Sequence, residues 1–136
     1  MTDLVVLDAG PLIAMLSERD EHHSVCAKAF GALAFAPVCC LPVFTEAVYM
    51  LRDRPASVRR LFAMIREGSI MLVSQDHSDV LRAGEIMMKY RCDFADACLV
   101  ILAKRFKTDI VFTLDRRHFR AFGRDVGGPY TIVPDA

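Results

Sequence analysis

Short apolar runs alternate with longer amphipathic stretches along the whole chain. Leu4-Val5-Val6-Leu7 stops at Asp8-Ala9-Gly10 and predicts a buried strand, and Pro11 suits the first turn of a short helix reaching Leu16. A second helix is expected from near Asp20, with Val25, Cys26, Ala29, Phe30 and Leu33 on its inner side. Val38-Cys39-Cys40-Leu41 reads as the second strand, ended by Pro42. A helix over 42–52 puts Val43, Ala47, Met50 and Leu51 on one arc. Pro55 opens the next helix, with Val58, Leu61, Phe62 and Ile65 inward and Gly68 as its stop. Ile70-Met71-Leu72-Val73 is a third strand, and Asp76 caps a helix running to about Tyr90. The stretch 93–107 is apolar on nearly every side, so its helix should lie deep. A fourth strand is expected over 110–114 and a fifth, at the edge, over 130–133.

Continuous apolar strands separated by helices imply a parallel sheet covered on both faces. The fold class expected is α/β, a three-layer arrangement with a central parallel sheet of four to five strands flanked by helices. In such sheets ligands bind beyond the carboxyl ends of the strands, where strand order reverses. The 136 residues fit one domain, 1–136. With 54% hydrophobic and 25% charged residues the chain is not of the disordered class. No apolar run approaches the roughly 18 residues of a membrane span, and Met1-Thr2-Asp3 lacks a basic leader, so a cytoplasmic, soluble protein is expected.

Seventeen basic residues balance seventeen acidic ones, which removes any argument from a long-range positive field. Arginines far outnumber lysines, and arginine suits forked contacts to phosphate, although a solvated helix face is the more ordinary reading of them. Cys26, Cys39, Cys40 and Cys98 lie in apolar runs; with Cys92 they show no CxxC spacing and read as reduced core residues. No zinc site is expected from this spacing. The chain has no GxSxG elbow, no Walker loop and no GxGxxG turn, and its one glycine pair, Gly127-Gly128, comes late. His22-His23 cannot point the same way and read as packing and surface residues; His118 reads as a solvent-facing helix residue within reach of a phosphate.

The carboxylates change the picture. Asp8 follows the first strand and Asp115 the fourth, both at carboxyl ends; taken singly, each is also explained as a turn or cap residue. Glu46 falls on the flank of the apolar arc of its helix and not on the opposite side, where Thr45 and Tyr49 lie. Asp93 is placed as an N-cap, whereas Asp96 shares the stripe of Val100 and Ala103 and points inward. Carboxylates gathered on one side of a sheet raise one another's pKa unless a cation neutralises them. Mg²⁺ or Mn²⁺ with oxygen ligands fits best, and such an ion activates water and stabilises charge on a phosphoryl oxygen.

Four segments in this order resemble the PIN-domain ribonucleases, particularly the VapC-type toxins of toxin–antitoxin pairs. They are Leu7-Asp8-Ala9-Gly10-Pro11-Leu12-Ile13-Ala14 with His23 following, Thr45-Glu46-Ala47-Val48-Tyr49-Met50-Leu51, Asp93-Phe94-Ala95-Asp96-Ala97-Cys98-Leu99-Val100, and Thr113-Leu114-Asp115-Arg116-Arg117-His118-Phe119. The resemblance spans almost the whole chain. It implies a catalytic and metal-holding quartet of Asp8, Glu46, Asp96 and Asp115, with Asp93 as an additional acidic residue and Thr113 supporting the cluster through its hydroxyl. It also implies cleavage of RNA with Mg²⁺ or Mn²⁺, a homodimer, and a small antitoxin protein as partner. Arg116 and Arg117 are candidates for backbone phosphate contacts. Many members carry Ser or Thr directly after the first aspartate, where this chain has Ala9 and Gly10.

Two rival readings follow from the same residues. A receiver-like Mg²⁺-binding signalling domain also clusters carboxylates beyond a parallel sheet, but it needs adjacent acidic residues after its first strand and a lysine at a later strand end. Here Asp8 stands alone, and Lys104 and Lys107 fall on a helix. A catalytically weak interaction protein is the other, with Phe35, Phe44, Tyr49 and Met50 as core, dimer seam or partner groove.

Overall fold

The computed structural model describes residues 4–122 and 129–134; Met1-Thr2-Asp3 and Gly127-Gly128 lie outside them. The chain runs β1 (Val6–Leu7), α1 (Ala9–Met15), α2 (His23–Gly31), β2 (Val38–Cys40), α3 (Leu41–Met50) and α4 (Pro55–Glu67). It continues through β3 (Met71–Val73), α5 (His77–Tyr90), α6 (Phe94–Arg105), β4 (Ile110–Phe112), α7 (Arg116–Phe122) and β5 (Thr131–Val133). The five strands form one sheet in the order β3-β2-β1-β4-β5, with every pairing parallel. Strand order reverses between β1 and β4, so the crevice of an open parallel sheet falls above that pair.

The strands are short because each apolar run hands over at once to a helix start. Asp8 ends β1 in an extended conformation and its carboxylate accepts from the Ala9 N–H. Pro42 stands in the first turn of α3, where its missing N–H costs nothing. Gly68 closes α4 at φ +80°, a left-handed conformation that glycine adopts without a Cβ penalty. Val6, Leu7, Val38, Cys39, Cys40, Val111 and Phe112 are buried, so the central strands form the core of the sheet. β3 is an edge strand with Met71 and Leu72 exposed.

α6 is the deepest helix: all nine residues from Ala95 to Ala103 are buried, as its unbroken apolar sequence requires. It packs against β1, β2, α3 and α5. All five cysteines are buried and free. Three of the inward assignments made from periodicity do not hold. Val25 is 40% exposed, Met50 57% and Phe62 48%. Each lies at the border of its helix's apolar arc, and the neighbouring element covers only the centre; Phe62 instead meets Phe44 edge-to-face at 5.2 Å. The second helix also begins later than expected, at His23, because Asp20 spends its carboxylate on the His22 N–H in the preceding turn.

α5 starts with a reciprocal cap. The Asp76 carboxylate accepts from the Asp79 N–H at 2.9 Å, and Asp79 accepts from the Asp76 N–H at 3.0 Å and from Arg82 at 2.8 Å. These donors, the Asp76 N–H first, hold the Asp79 carboxyl below its ordinary value. Asp79→Ala is expected to lower stability by about 1 kcal/mol at neutral pH, read as a lower urea midpoint. A depressed folded-state value means the contribution is present above the ordinary carboxylate range and is lost as pH falls through the lowered value, so the penalty should shrink in acid.

Candidate metal centre

Asp8, Thr113 and Asp115 come from the carboxyl ends of β1 and β4, on either side of the point where strand order reverses. The Asp8 N–H donates to the Phe112 carbonyl at 2.9 Å, which locks the end of β1 to β4. Beyond that bond the fully buried Thr113 hydroxyl donates to Asp8 Oδ2 at 2.7 Å and accepts from the Asp115 N–H at 2.9 Å. One side chain thus sets the positions of two carboxylates that stand more than a hundred residues apart in the chain.

The third contribution is the start of α6. Asp93 caps that helix by accepting from the Asp96 N–H at 2.8 Å, and Asp96 is buried in the first turn. Its carboxylate offers a ligand atom within 4.8 Å of one from Asp115, which stands at the end of β4. Burial pushes the Asp96 carboxyl up to about 8, with further repulsion from Asp8, Asp93, Asp115 and Glu46. The Asp8 carboxyl is also raised, mainly by burial, against the lowering effect of the Thr113 hydroxyl and the Ala9 N–H. Glu46, exposed on α3, is raised by partial burial and by the charges of Asp8 and Asp93.

Asp96, Asp115 and His118 each offer a ligand atom within 4.8 Å of the others. His118 Nδ1 lies 2.6 Å from Asp115 Oδ2 and 3.9 Å from Asp96 Oδ2. Asp8 and Glu46 stand outside this triple, although their charges act on Asp96. The sequence places His118 on a solvent-facing helix turn; it is exposed, but its ring turns to the carboxylates. The signal was present in the spacing: three residues after Asp115 on α7, it shares that residue's helix face. His23 instead packs, with Nδ1 at 2.9 Å from the Ala14 carbonyl, and His22 lies 3.4 Å from Glu21 at the surface.

Of the two arginines after Asp115, Arg116 reaches the Pro134 carbonyl with its guanidinium and Arg117 is exposed on α7. Lys104 lies in the last turn of α6, two turns beyond Asp96 and so about 12 Å along the helix. That is the wrong end for the strand-end lysine of a receiver-like site. The donor set suits a hard divalent cation: three carboxylates are raised by burial and mutual repulsion, and a dication relieves that repulsion.

Comparison with known proteins agrees with this geometry. A family model described as PIN domain matches residues 5–124. Ribonuclease VapC26 of Mycobacterium tuberculosis is 31% identical over 136 residues, covering 96% of this chain and 100% of that protein. The crystal structure of VapC20 of Mycobacterium tuberculosis, a toxin described as cleaving the sarcin-ricin loop, has a TM-score of 0.78 at 12% identity, over 93% of this chain and 98% of that one. A toxin–antitoxin complex from Klebsiella pneumoniae contains a chain with a TM-score of 0.69 at 15% identity, over 85% of this chain and 89% of that one. The order of strands, the carboxylates beyond the β1–β4 crevice and the extent of these matches together make this chain a member of the PIN domain family.

Proposed function

We propose that this chain is a divalent-metal-dependent endoribonuclease that hydrolyses RNA phosphodiester bonds, and that it is the toxin of a toxin–antitoxin pair. The observation that carries the reading is the convergence of Asp96, Asp115 and His118 beyond the β1–β4 crevice, with Asp8 held there by Thr113. Asp8, Glu46, Asp96 and Asp115 would hold Mg²⁺ or Mn²⁺. Such an ion, when bound, supplies Lewis-acid polarisation of the scissile phosphate and a more acidic water.

The protein's own groups do the rest. Thr113 holds Asp8 and the backbone of Asp115 in one geometry. Asp93 fixes the first turn of α6 and so the direction of Asp96. His118 Nδ1–H, in the tautomer that donates, orients Asp115 Oδ2. Arg117, with the remaining donors of Arg116, meets backbone phosphates and positions the strand without reading its sequence. A small antitoxin protein is the proposed partner, supported by the likeness to VapC26 and to the chain of a toxin–antitoxin complex, and a second copy of this chain completes the proposed assembly. No helix among the described residues is long and apolar enough to cross a membrane.

The test is cleavage of a mixed RNA pool by the purified protein with Mg²⁺, with Mn²⁺ and with EDTA. Cutting with either ion, abolished by EDTA and restored by adding the ion back in excess, is the expected outcome. Cutting that persists unchanged in EDTA after exhaustive dialysis sinks the metal-dependent mechanism.

A further inference from the structure

Beside the carboxylates the structure has an open groove of about 460 Å³ between the starts of α3 and α6. Leu41, Pro42, Thr45 and Glu46 line it from α3, and Asp93, Phe94 and Ala95 from the start of α6. Its apolar groups are unusually uncovered for their place in the fold. Leu41 is 59% exposed and Phe94 36%, although the nine residues that follow Phe94 are all buried. Phe94 is at the first helical position after the Asp93 cap, so its ring projects from the end of α6 rather than into the core. An aromatic face next to two carboxylates is not a surface for phosphate, which Glu46 and Asp93 repel. Nor does it suit a wholly apolar helix, which would leave both carboxylates desolvated without a donor.

A nucleobase satisfies both halves of the groove. Its ring face stacks on an aromatic side chain, and its exocyclic amino group donates to a carboxylate, as carboxylates accept from cytosine N4. The groove also adjoins the cluster, since Glu46, one of the four carboxylates, and Asp93, the cap of the helix that carries Asp96, both line it. A single strand with one phosphate at the cluster brings the adjoining base to Phe94. We propose that this groove is a nucleobase subsite, in which Phe94 stacks on the base next to the scissile phosphate and Asp93 accepts from its amino group. Adenine, cytosine and guanine are then favoured over uracil, which has no amino group to donate. The role of the subsite in catalysis rests on the ribonuclease reading, whereas base binding by the groove does not.

The chain has no tryptophan, so Phe94→Trp introduces a single fluorescent reporter at the groove. Titration of this variant in EDTA with cytidine, adenosine, uridine and ribose 5-phosphate reads base binding without metal or turnover. Saturable quenching by cytidine and adenosine, weaker quenching by uridine and none by ribose 5-phosphate is expected. No quenching by any nucleoside, or equal quenching by ribose 5-phosphate, overturns the subsite. In RNA cleavage, Phe94→Leu keeps the apolar bulk but loses the π face, and its KM should rise about 5- to 100-fold, while Phe94→Tyr stays near the parent. An unchanged KM for Phe94→Leu overturns the proposal, including the case in which that variant alters only self-association in sedimentation. Quenching by nucleosides in a protein that cuts no RNA supports the subsite and removes the ribonuclease reading instead.

Discussion

Replacing Asp96 by asparagine is expected to abolish RNA cleavage and, in metal-free buffer at neutral pH, to raise the melting temperature. The two effects have opposite signs because the same carboxylate serves the ion and strains the empty fold. Its carboxyl lies at about 8 in the folded chain against an ordinary value of 3.8. Between those limits the folded chain keeps a proton that the unfolded chain has released. The folded state therefore binds more protons, and the metal-free fold loses stability as pH rises through that window. The loss is on the order of 1.4 kcal/mol for each pH unit above the ordinary value. Asp96→Asn removes it, and each kcal/mol regained raises the melting temperature by about 3 °C in a chain of this size. Excess Mn²⁺ should reverse the ranking, since a ligand stabilises the protein that binds it, and the parent holds the complete carboxylate set. Melting curves at pH 5 and pH 8, with and without the ion, check this. A variant less stable than the parent in metal-free buffer at pH 8 contradicts the electrostatic account, and one that still cuts RNA removes Asp96 from the mechanism.

Thr113→Val should damage both stability and cleavage although the side chain touches no solvent. The hydroxyl is the donor to Asp8 Oδ2 and the acceptor for the Asp115 N–H, and valine fills nearly the same volume without either bond. Asp8 is buried, so the loss leaves a desolvated carboxylate with the Ala9 N–H, and its already raised carboxyl rises further. The cost is about 1–3 kcal/mol of stability, as for a buried polar group left without its partner. Cleavage should fall about 10- to 100-fold, the usual consequence of removing a group that orients a metal ligand. Thr113→Ser restores the hydroxyl and should recover most of the activity. A purely structural role predicts that stability falls while kcat of the folded fraction is unchanged; the orienting role predicts that kcat and metal affinity fall together, with rescue by serine.

The elements of the fold were legible because each rests on local physics. Pro42, Pro55, Asp76, Asp93 and Gly68 mark helix ends through missing N–H groups, side-chain caps and a positive φ, and all of them stand at those ends. The apolar runs at Val6, Val38 and Val111 became the three central strands. The misassigned positions, Val25, Met50 and Phe62, are apolar residues that local periodicity places inward and tertiary packing leaves uncovered. Periodicity reports where a helix is apolar, and only the neighbouring element decides how wide a part of that arc it covers.

The site divides in the same way. By itself the sequence determined which carboxylates end strands or open helices, and the inward direction of Asp96, because those properties depend on neighbours within a turn or two. Tertiary structure alone decided that β1 and β4 lie side by side, so that Thr113 bridges Asp8 and Asp115, and that His118 comes within 3.9 Å of Asp96. It also brought Leu41 and Phe94 to the lining of one groove. Pairings across such separations depend on strand order and helix crossing, which arise from burying the whole apolar surface at once and leave no trace at any single position.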